Sequence, residues 1–295
     1  MNGNKYKIVG LGEVLFDVFP SMEKTVGGAP ANFAFVASQL GDYGIVASRV
    51  GNDSNGREII GLLDHSGLKT DSIQIDEIHI TGTVNVEFKN GQPSYKINEG
   101  VAWDFLELTA NWRDLAFNCD AVCFGTLAQR NQGSRNTIHE FLSLTRRTAE
   151  RVFDVNLRQN YFSQDILQDS LKAATIAKLN HEELPIVAET LKIRGLTETE
   201  QIRNIRERFD LKLICVTRGA NGSLLVSEYD DSEHFGIEVE IVDTIGAGDA
   251  FTAAMVHGVL RGWNLDEINR NANQVASFVA SQRGAMPAFR IEKMS

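Results

Sequence analysis

The sequence predicts an α/β fold: a doubly wound, mainly parallel β-sheet flanked by helices, with a small separate β-sheet. Short apolar runs that end in glycine or a polar residue alternate along the chain with helical patterns, as in a buried parallel sheet. One stretch, residues 72–97, instead alternates apolar with polar positions, as strands with one wet face do. The 295 residues and 43% hydrophobic content are enough for one large core.

The N-terminal part is expected to begin with two strands, at residues 7–10 and 13–19. Asp17 lies on the second, otherwise apolar strand, where its carboxylate either has a buried partner or binds paired hydroxyls of a ligand. A helix is predicted at residues 30–40, because proline favours the first helical position and a glycine follows the last. A strand follows at residues 45–50.

The alternating stretch contains the dipeptide Asn90-Gly91, which predicts a β-hairpin. We interpret this β layer as a lid over a site or as a contact between subunits. The sequence contains no internal repeat, low-complexity segment or obvious linker. One domain is therefore expected.

The rest of the chain repeats a β-then-α order. Strands are predicted at residues 121–125, 152–156, 175–180 and 213–218, and helices at 135–147, 165–173, 182–191, 198–208 and 272–280. Ligands of doubly wound sheets collect at the carboxyl ends of the strands. Polar residues at those ends are therefore candidates for the functional site.

Composition indicates a protein that acts on small molecules. Lys and Arg total 29 against 39 Asp and Glu, and there is no basic run of the kind that binds nucleic acid or anionic membranes. Cys119, Cys123 and Cys215 lie in or beside apolar patterns, as core residues in a reducing compartment do. There is no signal-peptide pattern and no run near the roughly 18 apolar residues of a membrane span. We expect a cytoplasmic protein without membrane contact.

Residues 242–251 are the strongest candidate for chemistry. A strand is predicted at residues 236–242 and a helix at 250–260; the small residues between them are Gly246, Ala247 and Gly248. Bare N-terminal amides of a helix attract an anion such as a transferring phosphoryl group, and Asp249 beside them could take a proton from an attacking hydroxyl. The alternative is a carboxylate that only suits the helix dipole, with glycines that only form a turn.

Other motifs lie at predicted strand ends or helix starts, and each has a structural alternative. They are Gly27, Gly28 and Asn32; Asn156 and Arg158; Asn180 and Glu183; and the run from Thr217 to Gly222. Glycines allow close backbone approach, arginine suits phosphate oxygens, and a carboxylate can hold a magnesium-bound water. Helix caps, a surface ion pair and a β-turn explain the same motifs without a ligand.

Two signatures carry a resemblance to a known family: Gly-Gly-Ala-Pro-Ala-Asn at residues 27–32 and Asp-Thr-Ile-Gly-Ala-Gly-Asp at residues 243–249. With the motifs above, in the same order over nearly the whole chain, they closely resemble the ribokinase-like, or phosphofructokinase-B, sugar kinases. Among members, the sequence is most similar to bacterial fructokinases. That similarity depends on the run Gly12–Asp17, the form of the first signature, and Val101-Ala102-Trp103-Asp104.

The resemblance implies one ribokinase-like domain, residues 1–295, with a β lid at about 13–26 and 72–100 that is often a homodimer contact. Asp249 would be the base that deprotonates a sugar hydroxyl, and the amides of residues 246–248 would stabilise charge on the γ-phosphoryl group. The other implied residues are Asp17, Gly27, Gly28, Asn32 and Asn156 for the sugar; Arg158 for the transferring phosphate or the substrate; Asn180, Thr217, Gly219, Gly222 and Asn273 for the nucleotide; Glu183 for Mg²⁺; and Asp243, Ile245 and Gly284 for K⁺.

The resulting hypothesis is an ATP-dependent sugar kinase that uses Mg²⁺, with K⁺ in addition as in many members, and converts D-fructose to fructose 6-phosphate. Ribokinase and 2-keto-3-deoxygluconate kinase are the alternatives within the family, because specificity depends on lid side chains. Arg218 departs from the uncharged residue of many members, which leaves its role open between phosphate and solvent.

Other classes fit the sequence less well. The G-x-G-x-x-G of dinucleotide-dependent dehydrogenases lacks its third glycine at residues 10–15, and the P-loop pattern G-x-x-x-x-G-K-[ST] is absent from the sequence. A non-catalytic sugar- or nucleotide-binding protein would be expected to lack Asp249.

Overall fold

The computed structural model describes residues 5–21, 23–89 and 92–289, with the backbone alone at 86–89 and 92–95. The strands are β1 (Lys7–Leu11), β2 (Leu15–Val18), β3 (Lys24–Gly27), β4 (Tyr43–Gly51), β5 (Ile73–Asp76), β6 (Gly82–Lys89), β7 (Gln92–Ile97), β8 (Ala121–Phe124), β9 (Glu150–Asp154), β10 (Ile176–Asn180), β11 (Leu213–Thr217), β12 (Ser223–Ser227) and β13 (Asp231–His234). The α-helices are α1 (Ala29–Gln39), α2 (Ser54–His65), α3 (Ala110–Asn118), α4 (Gln132–Leu144), α5 (Gln164–Ala173), α6 (Glu183–Thr190), α7 (Glu198–Arg208), α8 (Ala247–Leu260) and α9 (Leu265–Ala280).

A nine-stranded sheet with the order β13-β12-β11-β10-β9-β8-β1-β4-β5 forms the body of the protein. Its pairs from β5 to β11 are parallel, whereas β12 and β13 are antiparallel additions at one edge. The strand order reverses between β1 and β8, because the chain passes from β1 to β4 on one side and later returns to β8 on the other. Open α/β sheets bind ligands at the carboxyl ends of strands at such a point.

Both faces of this sheet are buried, which explains the solidly apolar strands of the sequence. Along β1, Ile8 and Val9 point into different core clusters. The cluster around Val9 includes residues of α3 to α7, and the cluster around Ile8 includes residues of α1, α8 and α9. Helix α8, which begins at the predicted phosphate motif, is therefore fixed against α1 on one face of the sheet.

A second sheet has the order β3-β2-β6-β7. Its outer pairs are antiparallel, and β2 pairs with β6 in parallel. Leu15, Val84 and Ile97 of this sheet are buried in the same cluster as Trp103. The small sheet thus packs on the body through one face, and Asp17, two residues after Leu15, lies on that same face.

Most helix N-termini are capped by a side chain that accepts a backbone N–H. The capping residues are Asp53, Thr109, Asn131, Ser163, Thr197 and Asn264. Gly28 and Gly246, which precede α1 and α8, make no such cap. In α1, Pro30 has no N–H group and the Ala31 N–H donates to the Gly28 carbonyl oxygen, whereas in α8 the Gly248 N–H makes no backbone hydrogen bond to a described residue and is left for another acceptor.

The architecture agrees with the predicted α/β class, but two predicted elements are wrong. Residues 236–242 form a loop and not the predicted strand. Their apolar residues Ile241 and Val242 are 57% and 50% exposed, so neither packs against the core in the way that stabilises a strand. Residues 73–76 form β5, which pairs with β4 in the large sheet. The predicted turn at Asn90 and Gly91 lies outside the described residues, although β6 and β7 on either side of it pair as a hairpin does.

The expectations from composition can also be compared with the structure. Cys119, Cys123 and Cys215 are buried and unpaired, as core residues are. Burial raises the pKa of the Cys119 thiol to about 12, so it stays protonated. Within the described part of the chain, no helix has both the length and the apolar character that crossing a bilayer would require.

Candidate active site

Gly246 begins the candidate anion site. Its φ of 78° lies in the left-handed region, and an added Cβ would come within 2.7 Å of the Ala285 side chain, so both conformation and space favour glycine. The Ala247 amide approaches the Thr244 carbonyl oxygen at 3.3 Å. Since α8 starts without a side-chain cap, the next N–H groups, including that of Gly248, face the site as donors.

Asp249 lies in the first turn of α8 and is partly buried. Its Oδ2 accepts a hydrogen bond from Asn32 Nδ2 at 2.8 Å, although the two residues are 217 positions apart. The structure thus brings the two predicted signatures together. The Oδ1 atom of Asn32 is buried, and among the described residues nothing donates a hydrogen bond to it. A buried polar atom of this kind suits a ligand hydroxyl.

The environment of Asp249 changes its proton affinity. Burial raises the pKa of its carboxyl to about 6, and the negative charge of Asp154 acts in the same direction. The hydrogen bond from Asn32 and the positive charges of Lys178 and Arg158 oppose the increase. A base with a pKa near neutrality is suited to accept a proton from an alcohol.

Two more carboxyl groups near this point have raised pKa values. Burial raises the pKa of Glu13 to about 7, and Asp249 adds to that effect while Arg158 opposes it. Burial raises the pKa of Asp17 to about 6, again opposed by Arg158. Asp17 contacts Gly27 so closely that a Cβ there would lie 2.5 Å from Asp17 Oδ2. The glycine therefore keeps the space beside this carboxylate open.

A narrow cleft joins these groups at the point where the strand order reverses. It is lined by Glu13, Ala29, Pro30, Phe33, Cys123, Phe124, Gly125, Asp154, Asn156 and Asp249. Asn156 has a left-handed backbone with φ of 43°, and Arg158 is an exposed residue just beyond it. A larger cavity of about 330 Å³ between α7 and the β12–β13 turn is lined by none of the predicted residues. Of the predicted site residues, Asn156 and Asp249 line the narrow cleft, together with Ala29 and Pro30 of the first signature.

Asn180 and Glu183 hold each other at the start of α6. Asn180 Oδ1 accepts the Glu183 N–H at 2.8 Å, and Glu183 Oε2 accepts the Asn180 N–H at 2.8 Å. Glu183 Oε1 also accepts the Leu157 N–H at 2.8 Å. The structural alternative, a helix start, is thus present in the structure. Since each carboxylate oxygen keeps a lone pair, Glu183 still fits a role as acceptor for a magnesium-bound water.

The run from Thr217 to Gly222 forms a tight turn after β11, closed by a 2.7 Å hydrogen bond from Arg218 N to Gly222 O. The Arg218 side chain forms ion pairs with Glu198 and Glu233, each at 2.6 Å. Hydrogen bonds to Glu198 raise the pKa of the Arg218 guanidinium. Arg218 therefore contacts two carboxylates in the protein alone, an arrangement that the sequence did not predict.

Asn273 lies on α9 beneath this turn and is buried. Its Nδ2 donates to Ser223 Oγ at 2.7 Å and to the Asn269 carbonyl oxygen at 2.8 Å. The bond to Ser223 ties α9 to β12, and the bond to Asn269 lies within α9. Asn273 thus supports the turn predicted to contact the nucleotide.

The three residues assigned to K⁺ lie together. Asp243 Oδ1 accepts the Ile245 N–H at 2.9 Å, and Oδ2 accepts the Gly284 N–H at 3.1 Å. A K⁺ ion here would be held by the carboxylate and neighbouring carbonyl oxygens, which are ligands that hard cations prefer. Among the residues the structure describes, no group of three or more His, Cys, Asp or Glu side chains forms a metal site.

Sequence reasoning missed a buried ion pair in the site. Asp154 and Lys178 lie on adjacent strands with Oδ1 and Nζ 3.1 Å apart. Thr252, one turn after Asp249, contacts Asp154 Oδ2 through its hydroxyl at 2.8 Å. The available signal was a charged residue inside each of two apolar strands, the same signal that singled out Asp17.

Comparison with known proteins agrees with this geometry. The chain matches the pfkB family of carbohydrate kinases over residues 3–291. An uncharacterized sugar kinase from Pyrococcus horikoshii is 30% identical over 97% of this chain and 94% of its own, and its crystal structure has a TM-score of 0.86, covering 97% of this chain and 96% of that one. Fructokinase from Escherichia coli is 28% identical over 96% of this chain and 95% of its own.

Fructokinase from Vibrio cholerae, solved with fructose, ADP and calcium ion bound, has the same fold, with a TM-score of 0.82 at 23% identity over 98% of this chain and 97% of that one. The predicted family and fold are confirmed, and the chain belongs to the pfkB family of carbohydrate kinases, as a sugar kinase with a ribokinase-like fold.

Proposed function

We propose that this sugar kinase transfers the γ-phosphoryl group of ATP to a hydroxyl of free D-fructose and forms fructose 6-phosphate. The observation that supports the proposal is the Asn32–Asp249 hydrogen bond, because it joins the first signature to the carboxylate that we infer to be the base, at the start of a helix without a side-chain cap. Fructose as acceptor is supported by the 28% identity to the Escherichia coli fructokinase. The run Gly12–Asp17 supports the same subgroup.

The sugar would bind between the small sheet and α1. Asp17 and the spare Oδ1 of Asn32 would accept hydrogen bonds from its hydroxyls, and Gly27 keeps that space open. Arg158, whose positive charge acts on Asp17 and Asp249, would approach the phosphate from the rim.

In the transfer step, the oxygen of the sugar hydroxyl would form a bond to the γ-phosphorus, and Asp249 would accept the proton of that hydroxyl. The bond from that phosphorus to the β,γ-bridging oxygen breaks, and ADP leaves. N–H groups at the start of α8, at residues 246–248, would stabilise the charge on the transferring group.

ATP would lie along the carboxyl ends of β10 and β11. A related kinase from Pyrococcus horikoshii has been solved with ATP, at 29% identity and a TM-score of 0.83. Glu183 would hold a water of the magnesium ion, and Mg²⁺ when bound would neutralise phosphate charge. Asp243 would bind K⁺, and the ion together with this carboxylate would fix the conformation of residues 243–245.

The test is an ADP-release assay with fructose, ribose, tagatose, 2-keto-3-deoxygluconate, sugar phosphates and nucleosides as acceptors. We expect the highest kcat/KM with free fructose, and NMR of the product should place the phosphate on its 6-hydroxyl. A higher kcat/KM with ribose or with 2-keto-3-deoxygluconate would show that this compound, and not fructose, is the acceptor. Failure of every sugar, with nucleosides active, would overturn the proposal.

A further inference from the structure

A buried ion pair lies directly behind the proposed base. The side chains of Asp154 and Lys178 are only 5% and 7% exposed. Removing two charges from water is costly, and pairs of this kind are often replaceable by apolar groups without loss of stability. The pair lies between the sheet and the start of α8, at the candidate site, which suggests a use in the reaction.

Both members of the pair reach the start of α8. The Thr252 hydroxyl lies 2.8 Å from Asp154 Oδ2 and 2.9 Å from the Gly248 carbonyl oxygen. Lys178 Nζ would lie 3.1 Å from a Cβ on Gly248, the residue before Asp249. The negative and the positive charge therefore act on Asp249 and on the neighbouring amides from underneath.

Other groups also face Asp249, from several elements of the fold. The charged and titratable ones are Glu13 after β1, Cys123 on β8, Asp154 on β9, Arg158 after β9 and Lys178 on β10, with Glu183 of α6 acting on Lys178. Burial keeps the pKa of the Cys123 thiol well above its usual value, so it contributes no charge. Asp154 and Lys178 differ from Glu13 and Arg158 because they lie on the sheet side of α8 and join no predicted substrate-binding motif.

We propose that Asp154 and Lys178 are positioning residues that act on phosphoryl transfer through Asp249 with opposite signs. The carboxylate of Asp154 makes Asp249 a stronger proton acceptor. The ammonium of Lys178 limits that effect, so that Asp249 stays ionised at neutral pH, and adds positive charge beneath the Gly248 amide. This inference rests on the proposed role of Asp249 as the base.

The direct test is the proton affinity of Asp249 in the ligand-free protein. With ¹³C-labelled aspartate, the Asp249 carboxyl resonance is the one lost in Asp249→Asn, and its titration gives the pKa. Asp154→Asn removes a negative charge and should lower that pKa by about one unit. Adding Lys178→Met to this variant removes a positive charge and should raise it again by a similar amount.

The lysine is removed in the Asp154→Asn background because Lys178→Met alone would leave a buried carboxylate without its partner and change two charges at once. Thr252→Val is the uncharged control and should move the Asp249 pKa less than Asp154→Asn does. Asp154→Ser, which also removes the charge, replaces the asparagine variant if that protein does not fold.

The kinetic arm follows kcat/KM against pH with fructose and saturating MgATP. The apparent pKa of the acid limb should shift to lower pH in Asp154→Asn and return to higher pH in the double variant, by the same amounts as the NMR values. A purely structural role would lower activity without these opposite shifts. Shifts of the same sign, no shift, or an acid limb that stays while the NMR pKa moves would each overturn the proposal. The NMR arm needs no substrate, so opposite shifts support the inference even if fructose is not the acceptor.

Discussion

Two parts of the candidate site satisfy their polar groups in different ways: the part around Asp249, which we call the transfer end, and the part around Glu183, which we call the nucleotide end. At the transfer end, Asn32 keeps a buried oxygen to which no described residue donates a hydrogen bond, and burial raises the pKa values of Glu13, Asp17 and Asp249. At the nucleotide end, Asn180 and Glu183 bond to each other and to backbone. We therefore expect a ligand to supply hydrogen bonds at the transfer end, and we expect the nucleotide end to be a preformed surface whose own hydrogen bonds are already made.

This difference indicates which polar side chains lower the folding stability for the sake of activity and which ones increase it. A buried carboxylate without a full set of donors costs folding free energy above its pKa. A side chain whose hydrogen bonds are all made within the protein contributes to stability instead. Substitutions of charged side chains at the transfer end should thus reduce turnover at little cost in stability, and those of charged side chains at the nucleotide end should do the reverse.

The largest effect is expected from Asp249→Asn. Removing the base should lower kcat by a factor on the order of 10² or more, while the KM for ATP stays nearly unchanged. Steady-state kinetics with fructose measure both. Asp17→Asn is the matched carboxylate control, since it should raise the KM for the sugar more than it lowers kcat. Near-normal turnover in Asp249→Asn would contradict the base role.

The next largest effect is expected from replacing a glycine at the transfer end, compared with replacing one at the nucleotide end. Gly246→Ala should lower kcat strongly and cost roughly 1–3 kcal/mol of stability, because its φ is 78° and the new Cβ would lie 2.7–2.9 Å from three Ala285 atoms. Gly219→Ala is the control: its φ is 57°, but no atom lies within 4 Å. It should cost about 1 kcal/mol and keep kcat within about threefold. Equal losses of turnover in both would remove the distinction between the two ends.

A smaller effect concerns stability against pH. The Asp249 carboxyl has a pKa of about 6 in the folded protein against an ordinary value of 3.8, so the folded state holds its proton to higher pH. The stability that this group contributes at low pH is lost as pH rises through about 6. Asp249→Asn should therefore raise Tm by roughly 2–4 °C above about pH 7, the shift that about 1 kcal/mol produces in a large domain.

The same Tm advantage should shrink as the pH falls from about 6 and vanish below about 4, because the wild-type carboxyl is then protonated in both states. Differential scanning calorimetry across this range measures it. Asp243→Asn is the control for loss of a carboxylate that accepts two backbone N–H groups, and it should lower Tm instead. A Tm advantage that does not depend on pH would show that charge burial is not its cause.

Much of the fold and of the site followed from the sequence, for a physical reason. Strands buried on both faces are apolar throughout, and glycine or a polar residue marks where each ends, so β1, β8 and β10 could be placed within a few residues. Residues 236–242 show the limit of the pattern. Their alternation is that of a half-buried strand, and only tertiary context reveals that Ile241 and Val242 face solvent.

The site was predictable where a motif is local and not where it is assembled. Gly246 to Asp249 lie next to each other in sequence, so a helix start with a carboxylate could be read directly. The contact between Asn32 and Asp249 spans 217 positions; the resemblance named both residues, but only the structure revealed their hydrogen bond. The Asp154–Lys178 pair crosses two strands and belongs to no signature, so only the structure revealed that these charges lie behind the base.

The smallest effect on turnover is expected from Arg218→Met at the nucleotide end. Arg218 is 19% exposed and pairs with Glu198 and Glu233, so its loss should lower stability by about 1 kcal/mol and change the KM for ATP by less than about threefold. Arg158→Met is the matched change at the transfer end, and it should lower kcat/KM by about tenfold or more with little change in Tm, because Arg158 is exposed. Thermal denaturation and steady-state kinetics on both variants give the comparison. If Arg218→Met lost more activity than Arg158→Met, Arg218 would have to leave its glutamates for the phosphates of ATP, and the nucleotide end would not be a preformed surface.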